Sequence, residues 1–174
     1  MTIRSVRWHE DEARIAALDA SFTTGRIYGV VRGQRSFELV SEDVVPPLVK
    51  RRGLAPEVDR LRGLPYVVVA EEGDDLLGVA GASFSAWNRR AHLDGLYVAP
   101  AARRRGVGRA LVDAVVACAR AAGGRCLWLE TQNTNYPAVR FYERVGFRLC
   151  GFDDRFYDGA FAHETALFFA LDLE

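Results

Sequence analysis

The stretch Leu93-Asp94-Gly95-Leu96-Tyr97-Val98-Ala99-Pro100-Ala101-Ala102-Arg103-Arg104-Arg105-Gly106-Val107-Gly108-Arg109-Ala110 constrains this chain more than any other. Leu93 to Val98 reads as a short strand, Pro100 breaks it, and a long amphipathic pattern begins after Gly106. Gly106 and Gly108 lack a Cβ, so a backbone turning there can bring its N–H groups close to a ligand. A helix starting beside them offers unpaired N–H groups and partial positive charge, which suits a phosphate. Arg103, Arg104, Arg105 and Arg109 set mobile positive charge around the same point. Strand, glycine turn and helix together predict a pyrophosphate cradle.

Two common phosphate motifs do not fit. The dinucleotide fingerprint wants a glycine where Leu111 stands, and the Gly-Lys-Ser/Thr ending of the nucleoside-triphosphate loop is absent. What remains, Arg103-x-x-Gly106-x-Gly108, resembles the coenzyme A pyrophosphate loop of the GNAT superfamily of N-acetyltransferases. Downstream, Asn135-x-x-Ala138-x-x-Phe141-Tyr142-x-x-x-Gly146-Phe147 resembles the second hallmark of that superfamily, in the family's order and separation. The bland alternative for the first motif is a solvated basic turn, and for Tyr142 simple packing beside Phe141.

A chain of 174 residues accommodates one domain with a sizeable core. Its formal net charge of +0 gives no global field toward nucleic acid or membrane, so the arginine cluster points to a specific anionic ligand. Cys118, Cys126 and Cys150 lack metal-ligand spacing and read as buried, reduced core thiols, so no metal is expected. No apolar run is long enough to span a bilayer and the amino terminus has no signal-peptide core, so a cytoplasmic protein is expected.

In chain order, the patterns predict a strand at 3–8, a helix at 10–20 and a hairpin from 26–31 and 36–40 that Pro46-Pro47 ends. Residues 48–63 read as irregular with a short helix. Strands follow at 66–70, 76–87 and 92–98, then a helix from Val107 that Gly123-Gly124 stops. A strand at 126–131 precedes a second helix, which Asn135 caps and Pro137 opens. Strands at 147–152 and 164–171 complete a mixed sheet with helices on its faces.

The resemblance implies an α/β (α+β) GNAT fold over a single domain, residues 1–174: a central mixed, mostly antiparallel twisted sheet of about seven strands flanked by helices. It also implies a splay between the two central strands. Acetyl-CoA would be the cosubstrate, its pantetheine arm bonded to the main chain of Leu96, Tyr97 and Val98 as an added strand. Its pyrophosphate would lie on Arg103, Arg104, Arg105, Gly106, Val107, Gly108, Arg109 and Ala110, and Asn135 would meet the pantetheine amides. Tyr142 would lie near the thioester sulfur, where a phenol can protonate the leaving thiolate. An alkylamine of pKa ~10 is only about 0.1% neutral at pH 7, so the acceptor needs a base, and Asp94 and Glu130 are the candidates. Direct attack without a covalent enzyme intermediate is expected.

A narrower resemblance lies outside those motifs. Ala17-Leu18-Asp19-Ala20-Ser21-Phe22-Thr23-Thr24, Ser85-Ala86-Trp87-Asn88-Arg89-Arg90, Leu127-Trp128-Leu129-Glu130, Leu149-Cys150-Gly151-Phe152, Tyr157-Asp158-Gly159 and Glu164-x-Ala166-Leu167 are similar to the streptothricin (nourseothricin) acetyltransferases. That family acetylates the β-amino group of the antibiotic's β-lysine moiety. For such a polycationic acceptor, Asp94, Trp87, Tyr97 and Phe22 are the expected substrate contacts; Gly95 and Tyr97 depart from the family's more acidic pattern. Two alternatives stay open: an acetyltransferase for another small amine or a protein amino terminus, and a non-catalytic coenzyme A-binding module. The resemblance also allows a homodimer.

Overall fold

Runs rich in β-branched and aromatic residues form the strands, and apolar residues spaced by three and four form the helices. They follow as β1 (Thr2–Ser5), α1 (Trp8–Ala16), β2 (Phe22–Arg32), β3 (Phe37–Lys50), α2 (Val58–Arg62), β4 (Tyr66–Glu72), β5 (Asp75–Ser85), β6 (Arg90–Val98), α3 (Val107–Ala121), β7 (Cys126–Gln132), α4 (Tyr136–Arg144), β8 (Arg148–Asp153) and β9 (Ala166–Asp172). This computed structural model describes residues 1–173, and Glu174, the end of the expected domain, lies outside the described residues. Seven strands are hydrogen-bonded in the order β1-β4-β5-β6-β7-β9-β8, and β2-β3 form a separate two-stranded sheet. The large sheet is mixed, as expected: β1–β4, β4–β5, β5–β6 and β8–β9 are antiparallel and β6–β7 is parallel.

The chain divides into two compact units. One comprises Met1–Phe22, Arg51–Leu129 and, among the described residues of the last segment, 171–173. There α3 covers one sheet face; a Cβ on Gly78 would lie 2.6 Å from the Tyr97 carbonyl oxygen and 3.1 Å from Leu111 Cδ1, so glycine lets the helix come this close. Val67, Val69, Val79 and Tyr97 point the other way and pack with Ile15 of α1 and Leu61 of α2 around Leu54. Each such fully buried leucine or isoleucine contributes about 2 kcal/mol. Beside this core, the buried Asp11 carboxylate accepts from both Arg4 Nη atoms at 2.6 and 2.8 Å, from the Arg7 N–H and from Arg14. The Arg4 hydrogen bonds outweigh burial and hold its pKa at about 2.

The other unit comprises Thr23–Lys50 and Glu130–Ala170. Asn133 ties its pieces together, bonding Tyr28 through main chain and side chain and Thr165 on both sides of the peptide. Lys50 pairs with the buried Glu164, which also accepts from Thr134 Oγ1 at 3.0 Å.

Three expectations need correction. The hairpin does not end at Pro46-Pro47 but runs on to Lys50. In a two-stranded sheet each strand has one unpaired edge, and the one of two consecutive prolines whose ring nitrogen faces that edge forfeits no ladder bond. Helix α1 stops at Ala16, and Leu18 and Ala20 reach the core from the chain beyond it. Of the three thiols only Cys126 is buried; Cys118 is half-buried and Cys150 is exposed, lying on the outward side of β8, where exposed and half-buried residues alternate from Arg148 to Gly151.

Candidate active site

The site is built on β6. Beyond its end, the Ala99 N–H donates to the Leu77 carbonyl at 2.9 Å. Antiparallel pairs alternate between hydrogen-bonded and non-bonded, so Tyr97 opposite Val79 and Gly95 opposite Gly81 turn their main chain toward β5. Leu96 and Val98, opposite Ala80 and Gly78, turn theirs to the other edge. On that edge the parallel register with β7 covers Arg90–His92 against Cys126–Trp128. Leu93 to Val98 run past it, so the expected parting of the central strands begins at His92 and Trp128.

Two arginines bracket this open edge. Arg60 of α2 donates from Nη1 to the Asp94 carbonyl at 2.8 Å, and Arg103 donates from Nε to the Val98 carbonyl at 3.1 Å. Between them lie the N–H and C=O of Leu96 and the N–H of Val98, polar groups that a ligand strand can pair. Asp94 is an inserted residue: the register passes from Gly81–Gly95 to Ala82–Leu93 and skips it, which makes a β-bulge.

Arg60 also donates from Nη2 to the Tyr97 hydroxyl at 2.9 Å, and Glu57 pairs with both Arg60 and Arg52. Burial pushes the Tyr97 phenol up, against the opposite pull of Arg52. The Tyr97 ring, expected among the substrate contacts, belongs to the core cluster; Arg60 and Arg52 hold its hydroxyl, and the Arg52 guanidinium lies over the ring at 5.3 Å. Arg60 was invisible to sequence reasoning, since its segment carries no motif.

Past β6 the predicted order of strand, glycine turn and helix is present. Gly106 caps α3 with φ +84°, and no side chain caps that helix. Arg104 is also left-handed, φ +61°. The Ala110 N–H already bonds the Gly106 carbonyl at 3.0 Å, so the free first-turn donors are those of Val107, Gly108 and Arg109. A Cβ on Gly106 would meet nothing within 4 Å, so the space over the turn is open. The donor set, uncapped and electropositive, fits a pyrophosphate. Arg103 is committed to the Val98 and Ala20 carbonyls, and burial lowers its pKa. Arg105 pairs with Glu72 at 2.5 Å and Arg109 lies 3.7 Å from Asp113, while Arg104 has no ion pair among the described residues.

On the same strand, His92 Nδ1 lies 2.9 Å from Asp94 Oδ1. Burial opposes ionisation of Asp94, but the contact with His92 and the pull of the nearby Ser83 hydroxyl prevail and hold its carboxyl below the ordinary range. His92 escaped sequence reasoning, although its spacing of two from Asp94 on a strand was a readable signal. Trp87 lies in a 3-10 turn after β5 and is 88% exposed. Phe22 starts β2 and is half-buried.

In the second unit Asn135 caps α4, its Oδ1 accepting from the Ala138 N–H at 3.3 Å. Tyr142 is buried on α4, its ring 5.6 Å from that of Phe147 and 6.3 Å from that of Phe169. Glu130 on β7 accepts a hydrogen bond from the Tyr157 hydroxyl.

The sequence profile of the Acetyltransferase (GNAT) family matches residues 25–147. The chain is 38% identical to the streptothricin acetyltransferase of Streptomyces lavendulae over 97% of its length and 93% of that protein. The crystal structure of a nourseothricin acetyltransferase superposes with a TM-score of 0.87 at 36% identity, covering 99% of this chain and 98% of that one. An acetyltransferase from Bacillus anthracis str. Ames, solved in complex with acetyl coenzyme A, superposes at 0.83 with 27% identity over 99% and 98% of the two chains.

Proposed function

The chain belongs to the GNAT acetyltransferase family, with acetyl-CoA as acetyl donor, and from that premise we propose that it acetylates the β-lysine amine of streptothricin by direct attack. The observation that carries the donor half is the open edge of β6 between Arg60 and Arg103, followed by the uncapped start of α3. In this reading the pantetheine amides pair with Leu96 and Val98, as a strand adds to a sheet edge. The pyrophosphate takes the N–H groups of Val107, Gly108 and Arg109, with Arg104 as the mobile cation. The thioester supplies an activated acetyl group; the chain orients it and manages two protons.

The N–H at Leu96 is the donor for the carbonyl oxygen as charge develops there. Tyr142 is the acid for the leaving thiolate, and Asn135 contributes to the pantetheine site. The carboxylates of Asp94 and Glu130 assist the loss of the ammonium proton through a neighbouring group or water. Asp94, Trp87 and Phe22 belong to the acceptor side, where a polycation favours carboxylates and aromatic faces.

We read residues 1–174 as one domain that works on a small amine in the cytoplasm, without nucleic acid or membrane, as a homodimer. A single cooperative unfolding transition and light scattering test the first and last of these. The substrate reading is tested by thiol release from acetyl-CoA against streptothricin, polyamines, aminoglycosides and short peptides. Streptothricin is expected to give the highest kcat/KM; turnover of peptides alone would replace it with a protein amino terminus.

A further inference from the structure

Asp94, the one acidic residue of β6, is badly placed to meet an amine itself. Its side chain is 16% exposed, Oδ1 is taken by His92, and Oδ2 is buried with no donor at hydrogen-bond distance. Ser83 acts on the carboxylate from β5 without reaching that distance of Oδ2. His92 is the more open of the two, 35% exposed, on the last rung where β6 and β7 pair. Its ring lies against Trp128, centroids 4.7 Å apart, and the Arg90 guanidinium covers the Trp128 ring at 4.8 Å. An imidazole that donates Nδ1–H to a carboxylate keeps its lone pair on Nε2. Among the described residues Nε2 has no hydrogen-bond partner.

We propose that His92 Nε2 accepts the proton of the attacking ammonium, through water, and that Asp94 is the positioning residue that fixes the imidazole's tautomer and orientation. This rests on the acetyltransferase reading and deepens it by giving the base. His92 and Leu96 stand opposite Ser83 and Ala80, three steps apart across the bulge and about 10 Å between Cα atoms, a gap that the imidazole, a water and the amine fill. The ammonium gives one proton to Nε2, and the freed nitrogen lone pair forms the C–N bond to the acetyl carbon. As the tetrahedral adduct collapses, the C–S bond breaks, the Tyr142 phenol gives its proton to the thiolate, and the second ammonium proton replaces it on the phenol oxygen. The third stays on the amide nitrogen, and His92 returns its proton to solvent.

The charged groups around the pair are Arg90 on β6, against Trp128 of β7, and Arg60 of α2, which acts on Asp94. With the full chain and an amine acceptor, His92→Ala is expected to lower kcat about 100-fold while acetyl-CoA affinity stays within about twofold. Added imidazole is expected to restore about tenfold of that loss. Asp94→Asn is expected to lower kcat about tenfold, and the double variant to be no slower than His92→Ala, because the two act as a unit. A His92→Ala rate within about threefold of wild type, or a loss that imidazole does not relieve and that adds to that of Asp94→Asn, would overturn the assignment and leave His92 as packing for Trp128. A wild-type chain that releases no thiol with any amine overturns the acetyltransferase reading instead.

Discussion

Replacing Arg60 with methionine removes the grip on the bulge of β6 while keeping the apolar stem. Two bonds are lost, to the Asp94 carbonyl and to the Tyr97 hydroxyl, at 2.8 and 2.9 Å. A charged donor contributes about 1.5–3 kcal/mol per bond, and the lower end applies because the Arg60 side chain is 42% exposed. Water at the open edge and the remaining Arg52, 3.5 Å from the Tyr97 hydroxyl, return part of that roughly 3 kcal/mol, leaving about 2 kcal/mol. The Glu57 pair is discounted, since it is screened and Arg52 still neutralises the carboxylate. For a chain of this size that is a fall in Tm of about 4–8 °C. The Asp94 carbonyl is fixed two residues before the Leu96 N–H, so kcat should drop about tenfold with acetyl-CoA binding little changed. Calorimetric Tm, thiol-release kinetics and a double-mutant cycle with Tyr97→Phe measure these together, and the cycle should show about 1 kcal/mol of coupling. An Arg60→Met protein with wild-type Tm and kcat would refute the idea that this arginine holds the bulge in place.

Other perturbations separate the remaining parts. Gly106→Ala forces a Cβ into a φ of +84° where nothing crowds it, so about 1–2 kcal/mol of backbone strain should weaken acetyl-CoA binding about tenfold and leave the amine KM alone; titration calorimetry decides. Tyr142→Phe should lower kcat at least about tenfold and spare acetyl-CoA affinity, and an unchanged turnover would remove the proposed acid. Asp11 titrates at about 2 in the fold against 3.8 as the ordinary value, so its charge contributes about 2 kcal/mol above pH 3.8 that is lost as pH falls toward 2. The Tm gap between wild type and Asp11→Asn should therefore shrink from pH 5 to pH 2; a constant gap would mean that the Arg4 cluster is not what holds the carboxylate.

The strand, turn and helix around Gly106 were legible because two periodicities meet there across residues with special backbone freedom. The division of labour among the arginines was not. Arg103, Arg104, Arg105 and Arg109 look alike in sequence, yet Arg103 ends on main-chain carbonyls, Arg105 on Glu72 and Arg109 beside Asp113. Which partner each finds depends on segments up to 83 residues away, and no local pattern encodes that. The run of β3 through Pro46-Pro47 was misread for a related reason: proline's effect on a strand depends on whether its edge is paired, which is a tertiary fact.

The same contrast explains why the donor half could be read further than the acceptor half. Coenzyme recognition here is proposed to rest on N–H and C=O groups of Leu96, Val98 and the α3 start, which any side chain at those positions would still present. Only glycines and register need be kept, and both leave marks in a sequence. Acceptor chemistry must instead be carried by side chains, and the His92–Asp94 contact shows how little of that is local. Two residues of a strand that would share a face in any sheet are proposed to handle the proton together at a place where a bulge inserts one of them and the partner strand stops pairing beside the other. A substitution that straightens the bulge without touching either side chain should therefore impair the chemistry as deeply as removing the imidazole.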